Sequence, residues 1–289
     1  MKKIITVVIA LAIIVACMFA LVACSGSNYT ALQAQANIFT ELNAKTADVG
    51  VMDYTMANYL LKTESDLANK LMIVDSIELE KEYYGIAFRK AGTGKNYNTL
   101  CDMVNEALIA LTGDYNLIAA KYGVEGNKVT LAYSDSYAKK TGTADDTDWN
   151  KIKTANKIVI GYTLNAPMAI GEGNRLTGGI DYDLAEKVFY YINQHNSTNI
   201  AIEWKLIDWD NKEAEMTAGT IDCIWNGLTI TDARSEIWDI TMPYLENKQC
   251  VVIRKEDKDV YTTLDSIKKA KLVAEKGSAG EEVIEDLLK

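Results

Sequence analysis

Residues 220–234 have the sequence TIDCIWNGLTITDAR, which predicts a strand, a tight turn and a short helix in direct succession. An apolar run over 221–225 stops at the turn pair Asn226-Gly227, and hydroxyl residues then cap a helix that carries Arg234 in its first turn. Such a turn aims backbone N–H groups, Thr229 and the Arg234 guanidinium at one place. A guanidinium grips two oxygens and a helix N-terminus favours negative charge, so the stretch predicts a receptor for a small carboxylate. It holds no activated nucleophile, which favours binding over catalysis.

Strands and helices alternate on both sides of this stretch. We predict strands at 48–52, 84–89, 157–163, 201–207, 221–225, 249–254 and 271–275, and helices at 29–44, 53–61, 97–111, 116–121, 183–194, 211–218, 264–269 and 277–288. This order is typical of α/β layers with largely parallel sheets. Residues 165–177 are expected to be a loop, and residues 134–150 are polar and poor in hydrophobic side chains, as in a linker.

The first 23 residues predict an export signal. A basic start, Lys2-Lys3, precedes a long apolar run, and residues 21–24, Leu-Val-Ala-Cys, resemble a bacterial lipobox. In a lipobox the cysteine, here Cys24, is lipidated and becomes the mature N-terminus, which would hold the protein on the extracytoplasmic face of the cell membrane. The alternative is a signal anchor, since the apolar run is long enough to span a bilayer.

Charge and composition exclude several classes of function. The formal net charge is −10, and loss of the two signal lysines would bring it to −12, which argues against nucleic acid or anionic lipid as a partner. Cys101, Cys223 and Cys250 remain after the first 24 residues, and no CxxC spacing points to a disulfide framework or a metal. Cys223 and Cys250 lie in apolar runs and are predicted to be core thiols. The only histidine, His195, lies in a polar helix end, so we expect no metal site, no cofactor and no enzyme.

Several stretches of the sequence together resemble one family, the polar amino-acid-binding proteins of ABC importers (bacterial extracellular solute-binding proteins, family 3). The second half of the chain resembles the first half of that family through KIVIGYT (157–163), LTGGIDYDLAEKVF (176–189), DWDN (208–211), GTIDCIWNGLTIT (219–231), MPYLENKQCVVIRK (242–255) and VAEKGSAGEE (273–282). The first half resembles the second half of the family through YTALQAQ (29–35), TADVGVMDYTMANYLL (46–61), EYYGIAFRK (82–90), VNEALIAL (104–111) and KYG (121–123).

The two halves therefore stand in reversed order, and the resemblance implies a circularly permuted, two-lobed Venus-flytrap fold of α/β class (periplasmic-binding type II) with two hinge crossings. The expected parts are a signal at 1–23, lobe 2 at 28–82 and 252–289, lobe 1 at 83–126 and 151–247, and a linker at 127–150. The hinge crossings are expected near 82–89 and 246–254. A domain-swapped dimer or a fragment of a tandem gene, in which each half finds its mate in another copy, is the competing interpretation.

The resemblance also implies the ligand-binding residues. Arg234 and Thr229 would hold the α-carboxylate, and Gly227 would offer its carbonyl to the α-ammonium. Asp53 matches the aspartate that pairs with the ammonium, although an aspartate before a helix is also a favoured N-cap.

Further contacts are expected from the helix that begins at Ser278 and Ala279, whose N–H groups would face the carboxylate. Met168 is also expected to contact the ligand, from a loop that lacks the aromatic pair which packs a ligand side chain in the family. Trp225 or Tyr162 would then fill that wall, unless they belong to the core.

The function implied is capture of a polar amino acid and its delivery to an ABC permease. The alternative is an amino-acid sensor or signalling lipoprotein that uses the same cleft without transport, and neighbouring permease and ATPase genes would distinguish the two. An enzyme is not expected, because these cleft residues include no evident general acid–base pair.

Overall fold

A computed structural model of the protein describes residues 28–79, 81–124, 137–173 and 175–289. The predicted signal with Cys24 and positions 127–136 of the predicted linker lie outside the described residues. The strands are β1 (Tyr29–Leu32), β2 (Val49–Asp53), β3 (Leu71–Ile73), β4 (Lys81–Arg89), β5 (Tyr97–Asn98), β6 (Ala144–Asp145), β7 (Lys157–Tyr162), β8 (Ile170–Glu172), β9 (Arg175–Gly178), β10 (Ala201–Leu206), β11 (Cys223–Thr229), β12 (Trp238–Ile240), β13 (Leu245–Arg254) and β14 (Leu272–Glu275).

Helices alternate with these strands and cover both faces of the sheet. In the described part of the chain they are α1 (Asn37–Asn43), α2 (Tyr54–Thr63), α3 (Ser65–Lys70), α4 (Thr99–Ala110), α5 (Thr112–Lys121), α6 (Thr147–Ala155), α7 (Ile180–Asn196), α8 (Lys212–Thr217), α9 (Asp232–Ile237), α10 (Leu264–Ile267) and α11 (Ala279–Leu288). Short 3₁₀ turns span Trp209–Asn211 and Lys255–Asp257.

One mixed sheet runs through the molecule in the order β1-β14-β2-β13-β4-β11-β7-β10, with β12 beside β4 and β3 beside β13. The outer pairs β1–β14, β14–β2, β7–β10 and β7–β11 are parallel. The pairs that involve β4 and β13 at its centre are antiparallel, so the sheet is less uniformly parallel than the alternation predicts.

The two central strands divide the molecule into two halves. Strand β13 pairs with β4 over residues 245–248 and with β2 over residues 249–253, so it passes from one half to the other. We call residues 81–124 and 137–248 the large half, and residues 28–79 and 249–289 the small half. Each half has its own apolar clusters, around Trp225, Phe88 and Trp238 in the large half and around Phe39, Leu42 and Val251 in the small half.

The start of the described chain differs from the prediction of one helix over 29–44. Tyr29–Leu32 is a strand, parallel to β14, and only Asn37–Asn43 is helical. These residues form a strand because they pair with the edge of β14. The Tyr29 hydroxyl also donates to Glu281 of α11 at 2.8 Å. That partner lies more than two hundred residues away, so no local pattern signals the strand.

Two predicted irregular segments are ordered. The end of the predicted linker is the first turn of α6, which buries Trp149 and Ile152 against the large-half core. The predicted loop 165–177 contains the hairpin β8–β9. Cys223 and Cys250 are buried in β11 and β13, as predicted.

Within the ranges described above, no helix is both long and apolar enough to cross a membrane.

Candidate ligand-binding cleft

A narrow cleft separates the two halves beside the central strands β4 and β13. Residues of both halves line it: Gln35, Asp53, Glu275, Ser278 and Ala279 from the small half, and Asn165, Trp209, Asn226, Gly227, Thr229 and Arg234 from the large half. The cavity between them has a volume of about 10 Å³. That is the space of a single water molecule, so an amino acid can enter only if the halves move apart.

A bulge in β11 shapes the large-half wall. The sequence predicts that this strand stops at Asn226, but it continues to Thr229, and its register against β4 shifts between Ile224 and Leu228. The Asn226 side chain accepts from the Thr163 N–H at 2.8 Å and donates to the Thr163 hydroxyl at 2.6 Å. Gly227 takes φ +59°, a left-handed conformation that favours glycine.

Asp181 holds this bulge from behind. The carboxylate accepts from the Gly227 N–H and from the Tyr244 hydroxyl, both at 2.8 Å. Full burial raises the pKa of Asp181 to about 7, and these two donors act in the opposite direction. Asp181 therefore stabilises the bulge rather than facing the cleft.

Arg234 is anchored on the same wall. Helix α9 begins after Thr231, whose hydroxyl accepts from the Arg234 N–H at 3.2 Å. The Arg234 guanidinium is 6% exposed and donates to the Thr229 carbonyl at 2.7 Å. Burial lowers the pKa of Arg234, yet a guanidinium stays charged in proteins, so the wall presents a fixed positive charge.

Asp53 is the matching negative charge on the small-half wall. It stands at the end of β2 and directly before α2, but its side chain caps no helix N–H. Instead Oδ1 accepts from Asn247 at 3.1 Å and from Gln249 at 2.6 Å, and Oδ2 accepts from Gln35 at 2.6 Å. A carboxylate has about four acceptor positions, so one on Oδ2 remains for a ligand.

Two more acidic side chains surround Asp53. Glu82, on β4, accepts from the Asn247 and Gln249 amides that also donate to Asp53. Glu275, at the end of β14, is 5% exposed and lines the cleft. Burial first, and then the charge of Asp53, raises the pKa of both Glu82 and Glu275 to about 8.

Helix α11 begins at the edge of this wall. Ser278 is its N-cap and its hydroxyl accepts from the Glu281 N–H at 3.2 Å. Ser278 and Ala279 both line the cleft, so the first turn of the helix faces it.

The Gly277 carbonyl, just before Ser278, joins the two halves. Three large-half donors reach it: Trp209 Nε1 at 3.2 Å, Lys212 Nζ at 3.1 Å and the Arg234 guanidinium at 3.1 Å. An ion pair between Lys276 and Asp210, at 2.7 Å, adds a contact at the rim. The halves are therefore closed on each other in this conformation.

Six of the eight ligand-binding residues predicted from the sequence come together at this cleft: Asp53, Gly227, Thr229, Arg234, Ser278 and Ala279. Trp225 and Met168 do not line it. They are buried in the large-half core at 0% and 1% exposure, which differs from their expected place on the cleft wall. Tyr162 is buried as well and stacks edge-on against Trp204.

Sequence reasoning missed Gln35, Asn165 and Glu275 in the cleft lining, and Glu82 and Gln249 beside Asp53. These are single polar residues in unremarkable contexts, and only the pairing of distant strands brings them to the cleft. A charged residue inside an apolar strand was the one available signal, and Glu275 carries it.

Comparison with known proteins identifies one part of the chain. Residues 158–286 match the model of a family described as bacterial extracellular solute-binding proteins, family 3. A probable amino-acid-binding protein, YxeM of Bacillus subtilis (strain 168), is 30% identical over 112 residues, which is 39% of each chain. A probable histidine-binding protein of Neisseria gonorrhoeae is 35% identical over 71 residues, 25% of this chain and 26% of that one.

Among solved structures, an ABC uptake transporter substrate-binding protein from Streptococcus pneumoniae with bound histidine is 40% identical over 32% of this chain and 36% of its own, with a TM-score of 0.28. The chain spans about two fifths or less of the length of these three relatives. Residues 158–286 are therefore similar to the bacterial extracellular solute-binding proteins, family 3.

Proposed function

We propose that this protein is a lipid-anchored substrate-binding protein, which captures a polar amino acid between its two halves and delivers it to an ABC importer. The observation that carries the proposal is the pair Arg234 and Asp53. Each is more than nine-tenths buried, they carry opposite charges, and they line opposite walls of one cleft. An α-amino acid carries the complementary pair of charges.

Each end of the zwitterion has a receptor in this arrangement. The carboxylate binds to the Arg234 guanidinium, with Thr229 and the first turn of α11 as further donors. The ammonium binds to the remaining acceptor position of Asp53, with the Gly227 backbone close by. Because the two charges sit on different halves, a bound ligand links the halves and stabilises the closed form.

We also propose that the large and small halves are lobes 1 and 2 of the family fold, in permuted order within one chain. Two features support this. The family match lies in the C-terminal part of the chain, and β1, the first described strand, pairs with β14, the last. A dimer that exchanges halves would have the same local contacts, so sedimentation with and without ligand distinguishes a monomer from a swapped dimer.

The membrane anchor is proposed from the lipobox around Cys24. Acylation there would hold the cleft close to an importer in the membrane. The expected result is that Cys24→Ser moves the protein from the membrane fraction to the soluble fraction. Retention of the variant in the membrane would contradict acylation as the anchor.

The function itself is tested by thermal shift and calorimetry with a panel of amino acids. At a ligand concentration 100 times Kd, binding to the folded state stabilises it by about 2.7 kcal/mol, which is a readily measured rise in Tm. Absence of any shift or heat across the whole panel, with protein that is folded by circular dichroism, would overturn the proposal.

A further inference from the structure

A second cavity lies within the large half, apart from the cleft. Its volume is about 490 Å³, which is within the range of roughly 300–1,000 Å³ that is typical of small-molecule sites. The described residues that line it all belong to the large half, and none of them lines the cleft. Binding in this cavity therefore needs no residue of the small half.

One wall of the cavity is a buried polar face of helix α4. Asn98, which caps the helix, and Cys101, Asp102 and Asn105 within it recur at helical spacing, and each is at most 7% exposed. Polar side chains of a helix usually face solvent, so a buried polar face is unusual. The Asn98 side chain caps α4 and donates to Asp148 at 2.8 Å, whereas Asp102 and Asn105 each keep an unpaired atom.

Asp102 is a buried carboxylate without a cation. Its Oδ1 accepts from the Tyr137 hydroxyl, whereas its Oδ2 accepts no hydrogen bond from the part of the chain that the structure describes. No lysine or arginine in that part forms an ion pair with it, and the nearby Lys139 instead binds Glu106 at 2.8 Å. Buried aspartates are nearly always paired, so Oδ2 points to a positively charged donor on a ligand.

Asn105 offers a donor one helical turn further along the same face. Its Oδ1 accepts from the Met242 N–H at 2.8 Å, which fixes the orientation of the amide and leaves Nδ2 as its free end. Nδ2 has no acceptor among the described residues, and the side chain is 3% exposed and lines the cavity. A buried amide N–H is seldom left unpaired, so it indicates an acceptor on the same ligand.

The other walls of the cavity are mainly apolar and aromatic. Tyr97, Tyr137 and Trp238 contribute aromatic rings, and Met242 and Pro243 contribute aliphatic surface. Aromatic rings attract organic cations, and apolar surface favours a ligand with a hydrophobic body. The lining therefore suits an organic cation better than a small, fully hydrated ion.

Two lysines also line the cavity, but neither opposes such a cation strongly. Lys90 donates to the Ser235 carbonyl at 2.7 Å and contacts Asp239 at 3.5 Å, so its charge is already balanced. Lys140 is exposed, so solvent screens its charge. Among the described lining residues, Asp102 is thus the charged group that is neither paired with an opposite charge nor exposed.

We propose that this cavity binds a vicinal amino alcohol with an apolar body, whose ammonium is received by Asp102 and whose hydroxyl oxygen accepts from Asn105. Residues three apart on a helix have Cβ atoms about 5–6 Å apart, so the cation and the acceptor must lie close together in the ligand, as they do on adjacent carbon atoms. The inference goes beyond the proposed function and does not rest on it, since Arg234 and Asp53 take no part.

The test is calorimetry on the full chain with three probes of similar size: phenylethanolamine, phenethylamine and styrene glycol. Phenylethanolamine should bind most tightly. Phenethylamine should bind about 3- to 10-fold more weakly because it leaves the Asn105 amide unpaired, and the uncharged glycol about 10- to 100-fold more weakly because it offers Asp102 no cation. Styrene glycol that binds as tightly as phenylethanolamine would overturn the inference.

Variants then locate the bound amine. Asp102→Asn keeps the shape of the side chain and removes its charge, so it should weaken phenylethanolamine binding about 10- to 100-fold. Asp66→Asn, on the exposed surface of α3, is the matched control and should bind the amine as wild type does. Arg234→Ala and Asp53→Asn change the cleft alone and should also leave this affinity unchanged.

Two results with these variants would contradict the inference. Full affinity in Asp102→Asn would show that this carboxylate does not receive the ammonium. Loss of amine binding in Asp53→Asn would show that the amine occupies the cleft, and the proposed function would stand. Failure of every amino acid to bind the folded protein would overturn the proposed function alone.

Cys101 gives a readout in wild type that does not depend on the folding of Asp102→Asn. Its thiol lines the cavity and burial raises its pKa, so alkylation by N-ethylmaleimide should be slow and is followed by peptide mass spectrometry. At a concentration ten times its Kd, phenylethanolamine should slow alkylation about 10-fold, and styrene glycol at the same concentration less than about 2-fold. Alkylation of Cys101 at the same rate with and without phenylethanolamine would overturn the inference.

Discussion

The two walls of the cleft are built in different ways. The large-half wall comes from one short stretch, in which Gly227, Thr229 and Arg234 lie within eight positions on a bulged strand and the helix that follows it. The small-half wall gathers Gln35, Asp53, Glu275 and other residues from both ends of the chain. The first wall supplies donors and positive charge, whereas the second supplies carboxylates.

This difference has a physical origin. A guanidinium and backbone N–H groups need only local geometry, which a strand, a bulge and a helix cap provide. A cluster of carboxylates is costly to bury, so it needs donors from several elements, and these come from Gln35 and from Asn247 and Gln249 on β13. The large-half wall is thus formed by residues close together in the sequence, whereas the small-half wall forms only when distant parts of the chain have folded together.

The largest loss of ligand affinity is expected from a substitution in the large-half wall. Arg234→Ala should weaken amino-acid binding by more than about 100-fold, because it removes a buried, charge-assisted and bidentate contact worth about 2–5 kcal/mol. Arg234→Lys keeps the charge without the planar fork and should recover only part of this loss. Calorimetry measures both, with the exposed Arg175→Ala as the control. Near-normal affinity in Arg234→Ala would show that the carboxylate is bound elsewhere.

In the small-half wall, Asp53→Asn should weaken amino-acid binding about 10- to 100-fold. The substitution keeps the shape but replaces a charged acceptor for the ligand ammonium with a neutral amide. Asp66→Asn, on the exposed surface of α3, is the matched control for calorimetry. If Asp53→Asn lowers Tm and leaves affinity unchanged, Asp53 only holds the Asn247 and Gln249 amides, and the small-half wall has no part in the ligand site.

The buried carboxyl groups at the small-half wall should also make the free energy of unfolding depend on pH. Glu82 and Glu275 have a pKa of about 8 in the folded protein, against an ordinary value of 4.5. Between these values the unfolded chain binds fewer protons than the folded chain, so the free energy of unfolding should fall as pH rises from about 5 to 8. Glu275→Gln should remove part of the fall and raise stability at pH 8 by on the order of 2 kcal/mol.

Urea unfolding of wild type and Glu275→Gln at pH 5, 6.5 and 8 measures this difference. Glu172→Gln, on the hairpin β8–β9, serves as the control, since that side chain is exposed. Equal slopes against pH in wild type and Glu275→Gln would contradict a protonated, buried carboxyl at position 275.

A smaller effect is expected for Gly227→Ala. Gly227 has φ +59°, and a Cβ there would lie 3.1 Å from Tyr84 Cε2 and 3.2 Å from Met168 Cγ. The variant should lose about 1 kcal/mol of stability by thermal or urea unfolding. Gly113→Ala, in helix α5 with open space around its Cβ, should be neutral or stabilising. A Gly227→Ala variant as stable as Gly113→Ala would show that the bulge does not need glycine.

The same contrast explains what the sequence predicts. Thr231, Arg234 and Gly227 form a local pattern of cap, cation and turn, so their place on one wall is predictable from the sequence. Asp53 is predictable only through family resemblance, because an aspartate before a helix is equally typical of a cap. Gln35 and Asn165 carry no local signal for the cleft, and Glu275 carries only that of a charge inside an apolar strand, since their roles depend on strands that pair across the chain.

The errors in predicted elements have similar causes. Strand β1 depends on β14, and the continuation of β11 past Asn226 depends on bonds to Thr163 and Asp181. Helix α6 is different, because Trp149 at the end of the predicted linker and Ile152 just after it already form an apolar face at helical spacing. The helix was not predicted because the residues before Trp149 are mostly polar, which is typical of a linker.

Both walls of the cleft are expected to bind the same ligand molecule, and a thermodynamic cycle measures the coupling between the ligand carboxyl group and Arg234 directly. Calorimetry gives the affinities of the amino acid with the largest thermal shift and of the amine formed by loss of its carboxyl group, for wild type and for Arg234→Ala. We predict that wild type prefers the amino acid by at least 100-fold and that Arg234→Ala reduces the preference to a few-fold, because the carboxyl group and Arg234 are coupled. An equal preference in both proteins would contradict the account, since the carboxylate would then not be bound by Arg234.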